Sequence, residues 1–501
     1  MWGAGRADMA LGRVAIAPEG LGAFANADAD AGWPRSSPLW LLTVAGTVLA
    51  FAAGVGADIK PKLAFAAVAA VVLIVIVAVR PLVGGLILVC IVPVVSGLAP
   101  GFPVPYVRIS EALTGIVGTT VIVATRSRLA VRWDLLDWLL LGYCLAWAGF
   151  GIVDAHLLGE HLSMSLWGTV FGQLQFFLIY RGVRVSIRTA NERKLAVAAM
   201  LVATVPVALL ALMQQLRIGA VGRFIDHITG SAPSPAWAGL QRATGPFDNW
   251  AALAGYLFPL LLVAASLALA GETGPRKRAF AVVIGLAALA LLLTAELSAI
   301  ICLLIGIVFL GYRFGRGREL TRWFLLSVGA AALVTGPFIG ARLTGELSKT
   351  AGSGRSSLVP QTIAFRQQVW TAQYLPAIEA RPLTGYGVVA PTTISWQYPE
   401  SEYVTLAMEG GLPLLLLFGA LTVAVVDRAR RAGHSRDPLR AALGRALVVA
   451  TIGIVAMDTI WPYMSNGGLP QLFWCLAALA LPRRSAWRCR SRVIAAPRAS
   501  T

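Results

Sequence analysis

Apolar runs near the length of a bilayer-crossing helix follow one another along almost the whole chain, and this feature removes most soluble architectures from consideration. A spanning helix needs about 20 mostly apolar residues. Runs of that kind occupy 39–55, 63–79, 82–98, 109–124, 135–153, 166–180, 195–213, 250–270, 280–294, 298–312, 323–339, 403–426, 441–457 and 469–481. Hydrophobic residues make up 57% of the 501 and charged residues only 13%, more apolar surface than a soluble fold of this length can bury. The expected fold class is therefore all-α, a polytopic membrane helix bundle of about 12–14 transmembrane helices.

Charge supplies an independent test of that count. The net charge is +18. In a soluble chain this would point to nucleic acid, but here the cations gather in short segments between apolar runs, which orients a membrane protein and attracts anionic lipid head groups. Arg126 to Arg132, Arg181 to Lys194, Arg276 to Arg278, Arg313 to Arg322, Arg428 to Arg440 and the tail from Arg483 to Arg498 all fall on one side when the spans alternate. The positive-inside rule makes that side cytoplasmic, with both termini on it, and the expected location is the bacterial inner membrane. Lys60 and Lys62 against Asp58 form a mild exception on the other side.

Three regions follow: a disordered cytoplasmic segment over 1–37, which has no apolar core of a signal peptide; a transmembrane domain over 38–482; and a basic cytoplasmic tail over 483–501. Cys90, Cys144, Cys302 and Cys475 lie in apolar runs and Cys489 in the tail, so they read as small buried hydrophobes rather than a disulfide framework. Two extracytoplasmic segments are long, 214–249 and, much the largest, 340–402. Loops of this length are functional or disordered. The second carries a Gly/Ser-rich strip, Thr350 to Ser357, then a helical, aromatic stretch with Trp370, Tyr374, Trp396 and Tyr398 available to stack on sugars, which describes an ordered lid on a flexible strip.

His156, His161, His227 and His434 have no metal-ligand spacing, CxxC is missing, and so are glycine-rich phosphate loops. The expectation is no metal, no cofactor and no ATP-driven transport. Polar candidates instead sit at the outer ends of spans. Arg242 precedes a turn that delivers Asp248 and Asn249 to a helix start, where an anion can be held or the helix simply capped. Arg366 and Trp370 are one helical turn apart and share a face. Glu400 and Glu402 reach the mouth of the next span, as a base or as helix-end carboxylates. Glu296 lies between two apolar runs, so it must face protein, a water-filled cavity or a tight outer turn.

In order and placement these segments resemble the O-antigen ligase and Wzy-type polymerase superfamily. Arg366 and Trp370 match its Arg-x-x-x-Trp opening, Pro382, Gly385 and Gly387 its Pro-x-x-Gly-x-Gly, and Tyr403, Glu409, Gly411 and Leu412 its closing box. Thr294 to Ser298 stands where many relatives have Thr-x-Ser-Arg. Aligned on Tyr403, Glu400 and Ser401 replace the histidine and asparagine usual in ligases. That tilts the expectation from a lipid A-core ligase toward an exopolysaccharide, capsule or O-antigen polymerase.

The resemblance implies a GT-C-like glycosyltransferase, independent of metal and nucleotide sugar, that inverts the anomeric carbon of an undecaprenyl-diphosphate-linked glycan donor as it passes to a glycan acceptor. The expected sites are Arg242 and Arg366 on the diphosphate, Glu400 and Glu402 as catalytic carboxylates that can still accept the acceptor's proton, and Trp370 and Tyr403 against the sugar. Membrane lipids and a chain-length regulator are the other partners it suggests, and nucleic acid is not one. The rival from another class is a transporter or flippase of lipid-linked oligosaccharide, which would carry polar sites near the midplane on broken helices in two related halves. No such halves are visible here.

Overall fold

The computed structural model describes residues 61–99, 108–125, 133–157, 164–230, 242–271, 277–315, 361–388 and 398–481, with single positions 159, 336, 340, 344, 391, 394 and 395. The N-terminal segment, the runs 39–55 and 323–339, the Gly/Ser strip, Trp396 and the basic tail lie outside the described residues. Among the described residues every regular element is a helix. Five are long and apolar enough to cross a bilayer, three more are shorter apolar helices, and one bent pair counts as a further candidate span. The molecule is a multi-pass helical membrane protein.

In chain order, α1 (Pro61–Val79) bends sharply at Arg80 into α2 (Pro81–Cys90), and α3 (Val92–Val95) continues it. Then follow α4 (Ile109–Thr125), α5 (Leu135–Leu157), α6 (Met164–Gly172), α7 (Leu174–Ser186) and α8 (Ala190–Gln215). The short amphipathic α9 (Gly219–Thr229) precedes α10 (Trp250–Ala270), α11 (Lys277–Leu293) and α12 (Leu297–Arg313). The segment ahead of α15 forms α13 (Gln361–Val369), a π-helical turn (Trp370–Tyr374) and α14 (Leu375–Ala380). The chain returns through α15 (Glu402–Ala432), α16 (Pro438–Met457) and α17 (Leu469–Ala480).

Local chemistry sets the helix starts. Thr189 and Glu192 form a reciprocal capping box at the head of α8, with bonds of 3.1 Å and 2.7 Å. Asn249 accepts from the Ala252 amide at 2.8 Å, so it caps α10, one of the two roles its sequence position allowed. Asp437 does the same for Arg440 at 3.2 Å at the head of α16. α10 is the core staff: almost all of its residues are buried, because α11, α12, α16 and α17 surround it. An apolar helix buried all round must sit inside a bundle rather than at its lipid-facing rim.

The contacts sort the bundle into two ends. At one, the base of α5 and the ends of α7 and α15 meet through Asp134, Asp137, Arg181, Arg184 and Arg428, while Arg193 of α8 bonds Asp437 at 2.6 Å. At the other, the heads of α10, α12, α15 and α17 converge on the turns between them. We refer to these as the basic end and the site end. The basic segments differ from expectation in one respect. Arg181 and Arg184 do not lie in a loop: α7 runs on to Ser186 and turns both into the protein, 7% and 1% exposed. Likewise α15 continues through Arg428 to Ala432.

Candidate active site

At the site end, the junction of α11 and α12 makes a tight turn with Ala295 at φ +49°. This turn aims the Thr294 and Ala295 carbonyls and the Glu296 carboxylate at Arg242. The guanidinium donates to Thr294 O at 2.7 Å, to Ala295 O at 3.3 Å and to Glu296 Oε2 at 2.6 Å. Its other face lies 4.1 Å from the centroid of the Trp250 ring. Glu296, the charge between two apolar runs, thus faces protein and is matched by a cation, as a buried carboxylate must be. The hydroxyl of Ser298 donates to Glu296 Oε1 at 2.9 Å and also lies 2.8 Å from the Tyr463 hydroxyl.

The second arginine comes from the segment ahead of α15. Arg366 on α13 pairs with Glu400, which holds φ +51°, a conformation a non-glycine residue rarely adopts. One turn on, the Trp370 indole donates to Pro399 O at 2.5 Å. Two adjacent side chains of α13 and its π turn therefore clasp the strained approach to α15. A single π-helical turn inserted between helices is a feature frequent at functional sites. The described part of this segment, called the lid below, packs on α15: Val369, Tyr374, Ala377 and Ile394 form a small core closed by Met408. Tyr374 is 3% exposed within that core, whereas Tyr398 is 71% exposed and its ring is open.

The lid docks on α15 by backbone. α15 breaks at Gly410 and Gly411, where φ/ψ leave the helical region, and this frees the carbonyls of the preceding turn. The amides of Tyr386 and Gly387 donate to Met408 O and Glu409 O at 2.6 Å and 3.1 Å, and the Leu412 amide donates to Pro382 O at 2.7 Å. A Cβ on Gly385 would stand 2.4 Å from Met408 O, and one on Gly411 2.5 Å from Pro382 O. The Pro-x-x-Gly-x-Gly and Glu-x-Gly-Leu motifs are thus two halves of one backbone clasp, and their glycines are required by close approach.

Glu402 and Tyr403 open α15 behind Glu400. Glu402 is 1% exposed and accepts from the Ser465 amide at 3.1 Å and the Ser465 hydroxyl at 2.9 Å. The Tyr403 hydroxyl donates to Val455 O at 2.6 Å, fixing α15 to α16.

Residues beside each arginine pair touch the same turn, 458–468, between α16 and α17. Trp461 stacks near Trp250 at 6.4 Å, Tyr463 reaches Ser298, and Asn466 accepts from Asn249 at 3.1 Å. Ser401 donates to Asp458 O at 3.2 Å. Burial, and then the Glu402 carboxylate nearby, push Asp458 well above the usual carboxylate range. Burial also raises Asp248, although Arg108 opposes it.

This turn was the part of the site that motif reading did not single out. Its signal was a cluster of Asp458, Trp461, Pro462, Tyr463 and Asn466 with a Gly-Gly stop, wedged between two apolar spans.

A multi-pass helical membrane protein whose polar side chains converge at one end from separate spans defines the class. Within it, residues 280–419 match the O-antigen ligase family model, a stretch that takes in α11, α12, the lid and the first half of α15. This agrees with the superfamily that the motifs resemble and supports a membrane enzyme of the O-antigen ligase or polymerase type. No curated protein matches the chain at a significant level.

Proposed function

We propose that the protein is a membrane glycosyltransferase that joins undecaprenyl-diphosphate-linked glycans on the extracytoplasmic face, acting as a polymerase of exopolysaccharide, capsule or O-antigen rather than as a lipid A-core ligase. The observation that carries the reading is that two guanidinium groups from separate segments, Arg242 and Arg366, each pair with a carboxylate, Glu296 and Glu400, while residues beside each pair touch the turn 458–468. Guanidinium exchanges a carboxylate for a phosphate in the same forked geometry.

In this reading the donor's diphosphate displaces Glu296 from Arg242 and Glu400 from Arg366. Glu400, released, accepts the proton of the acceptor hydroxyl as that oxygen attacks the anomeric carbon. The bond from that carbon to the diphosphate breaks, and the arginines stabilise the charge that grows on the departing lipid diphosphate. Trp370 and the ring face of Tyr403 border the sugar. Glu402, already committed to Ser465, orders the turn behind the base. The replacement of the ligase histidine by Glu400 favours polymerisation, and the basic end then faces the cytoplasm of the inner membrane. A chain-length regulator is a natural partner of such an enzyme.

The test is elongation of purified lipid-linked repeat units in liposomes. Wild type should lengthen them, and Arg366→Ala should slow elongation about 10²–10³-fold, the scale of a lost transition-state charge contact. Unchanged elongation by the variant would remove Arg366 from the diphosphate site. Relocation of substrate between leaflets without lengthening would favour a flippase.

A further inference from the structure

The basic end holds a second place built for a ligand. Between the ends of α12 and α15 and the middle of α16 lies a groove of about 310 Å³. Its floor is apolar and packed, formed by Leu310, Ala429 and Val449, all buried. Its lipid-side flank is apolar and open, with Phe309 46% and Ile452 54% exposed. Three arginines, Arg313, Arg430 and Arg445, line it, and no carboxylate does.

The charge at this groove is uncompensated. Several other arginines at the basic end are matched: Arg184 and Arg428 by Asp134, Arg193 by Asp437, and Arg431, next to Arg430, by Asp427. Among the described residues no ion pair reaches Arg313, Arg430 or Arg445. Arg445 instead lies 4.3 Å from the centroid of the Phe314 ring, a contact that leaves its donors free. The ends of α12 and α15 account for some attraction of cations to this level. They do not account for three guanidinium groups placed around a groove with an apolar floor and an open apolar flank.

We propose that this groove binds one anionic glycerophospholipid, with the phosphate among Arg313, Arg430 and Arg445 and the first acyl methylenes along Ile452 and Phe309. The occupant is a lipid rather than a soluble anion because the open side of the groove is hydrocarbon-facing, and the uncompensated charge selects an acidic head group over a zwitterionic one. The site stands at the opposite end of the bundle from Arg242 and Arg366, so it does not rest on the glycosyltransferase reading.

The test is native mass spectrometry of the full chain in detergent, titrated with phosphatidylglycerol. One saturable lipid should be retained by wild type and by Arg436→Gln, a control at the same end outside the groove. Loss of two arginine contacts, each worth about 1 kcal/mol, should weaken retention about thirtyfold in the Arg430→Gln/Arg445→Gln double variant. Ile452→Trp should block the same adduct sterically with all charges kept, and it decides the matter if the double variant does not fold. Retention of phosphatidylcholine equal to that of phosphatidylglycerol, undiminished binding by these variants, or displacement of the lipid by inorganic phosphate at equal concentration would overturn the proposal.

Discussion

The two ends of the bundle use the same chemistry, arginine against carboxylate, in opposite ways. At the basic end Arg184 is 1% exposed and touches Asp134 at 3.2 Å and Asp137 at 3.3 Å, with Tyr180 at 2.9 Å. Arg428 adds a third cation at 2.6 Å from Asp134, and Arg181 stacks on Trp133 at 5.3 Å. Burial works against charge on Asp134, yet Arg428 and Arg184 hold it down to about 2. At the site end the side chains of the Arg242–Glu296 and Arg366–Glu400 pairs are between 11% and 19% exposed, less deeply buried than the Asp137 and Arg184 side chains. A deeply buried network that shares its charges among several arginines is fixed, whereas a more exposed pair can be exchanged more readily. The first ties α5, α7 and α15 together, and the second is where we propose that substrate binds.

That contrast can be broken from either side. The largest effect is expected at the opening: Glu400→Gln keeps a hydrogen-bond partner for Arg366 but cannot take a proton, so elongation should fall about 10²–10⁴-fold with the melting temperature nearly unchanged. A comparable loss of elongation from Glu402→Gln with intact folding would instead shift the base to Glu402. Arg184→Met at the basic end should do the reverse. It leaves two carboxylates short of a partner, costs about 3–5 kcal/mol, and should appear in thermal unfolding in detergent. A folded variant with wild-type stability would show that the network is redundant.

Gly411→Ala tests the clasp between them. At φ +64° and 2.5 Å from Pro382 O an added methyl must push the lid off α15, so a loss of about 1–3 kcal/mol and faster proteolysis within the lid are expected. The smallest effect is Asp458→Asn. Because Asp458 titrates well above the ordinary carboxylate range, the folded state favours its protonated form. Stability from this residue is complete below about pH 4 and declines as pH rises toward the elevated value. The asparagine keeps the acceptor used by the Tyr463 amide at 3.2 Å, so the variant should match wild type at low pH and exceed it slightly at pH 8. A variant less stable than wild type at pH 8 would contradict this.

Much of this was legible in the sequence because its cause is local. The run beginning at Trp250 and ending at Ala270 coincides with α10, since Asn249 and Gly271 bound it as cap and stop. Arg366 and Trp370 share a face because helical spacing demands it. The partners of the arginines were not legible. Arg242 and Glu296 are 54 residues apart, and Glu402 and Ser465 are 63 apart, distances over which only the packed bundle decides who meets whom. The basic segments misled for the opposite reason. A run of arginines after an apolar stretch reads as solvated loop, yet α7 and α15 continue through theirs, because Asp134 and Asp137 supply charges that make burial tolerable.

The account rests on Arg242 and Arg366 gripping one diphosphate, and binding of the lipid leaving group measures this most directly. With purified protein and undecaprenyl diphosphate, Arg242→Ala and Arg366→Ala should each weaken binding at least tenfold, about 1.4 kcal/mol per lost contact or more, with the more exposed Arg366→Ala unfolding near the wild-type temperature. Wild-type affinity in either variant would contradict it.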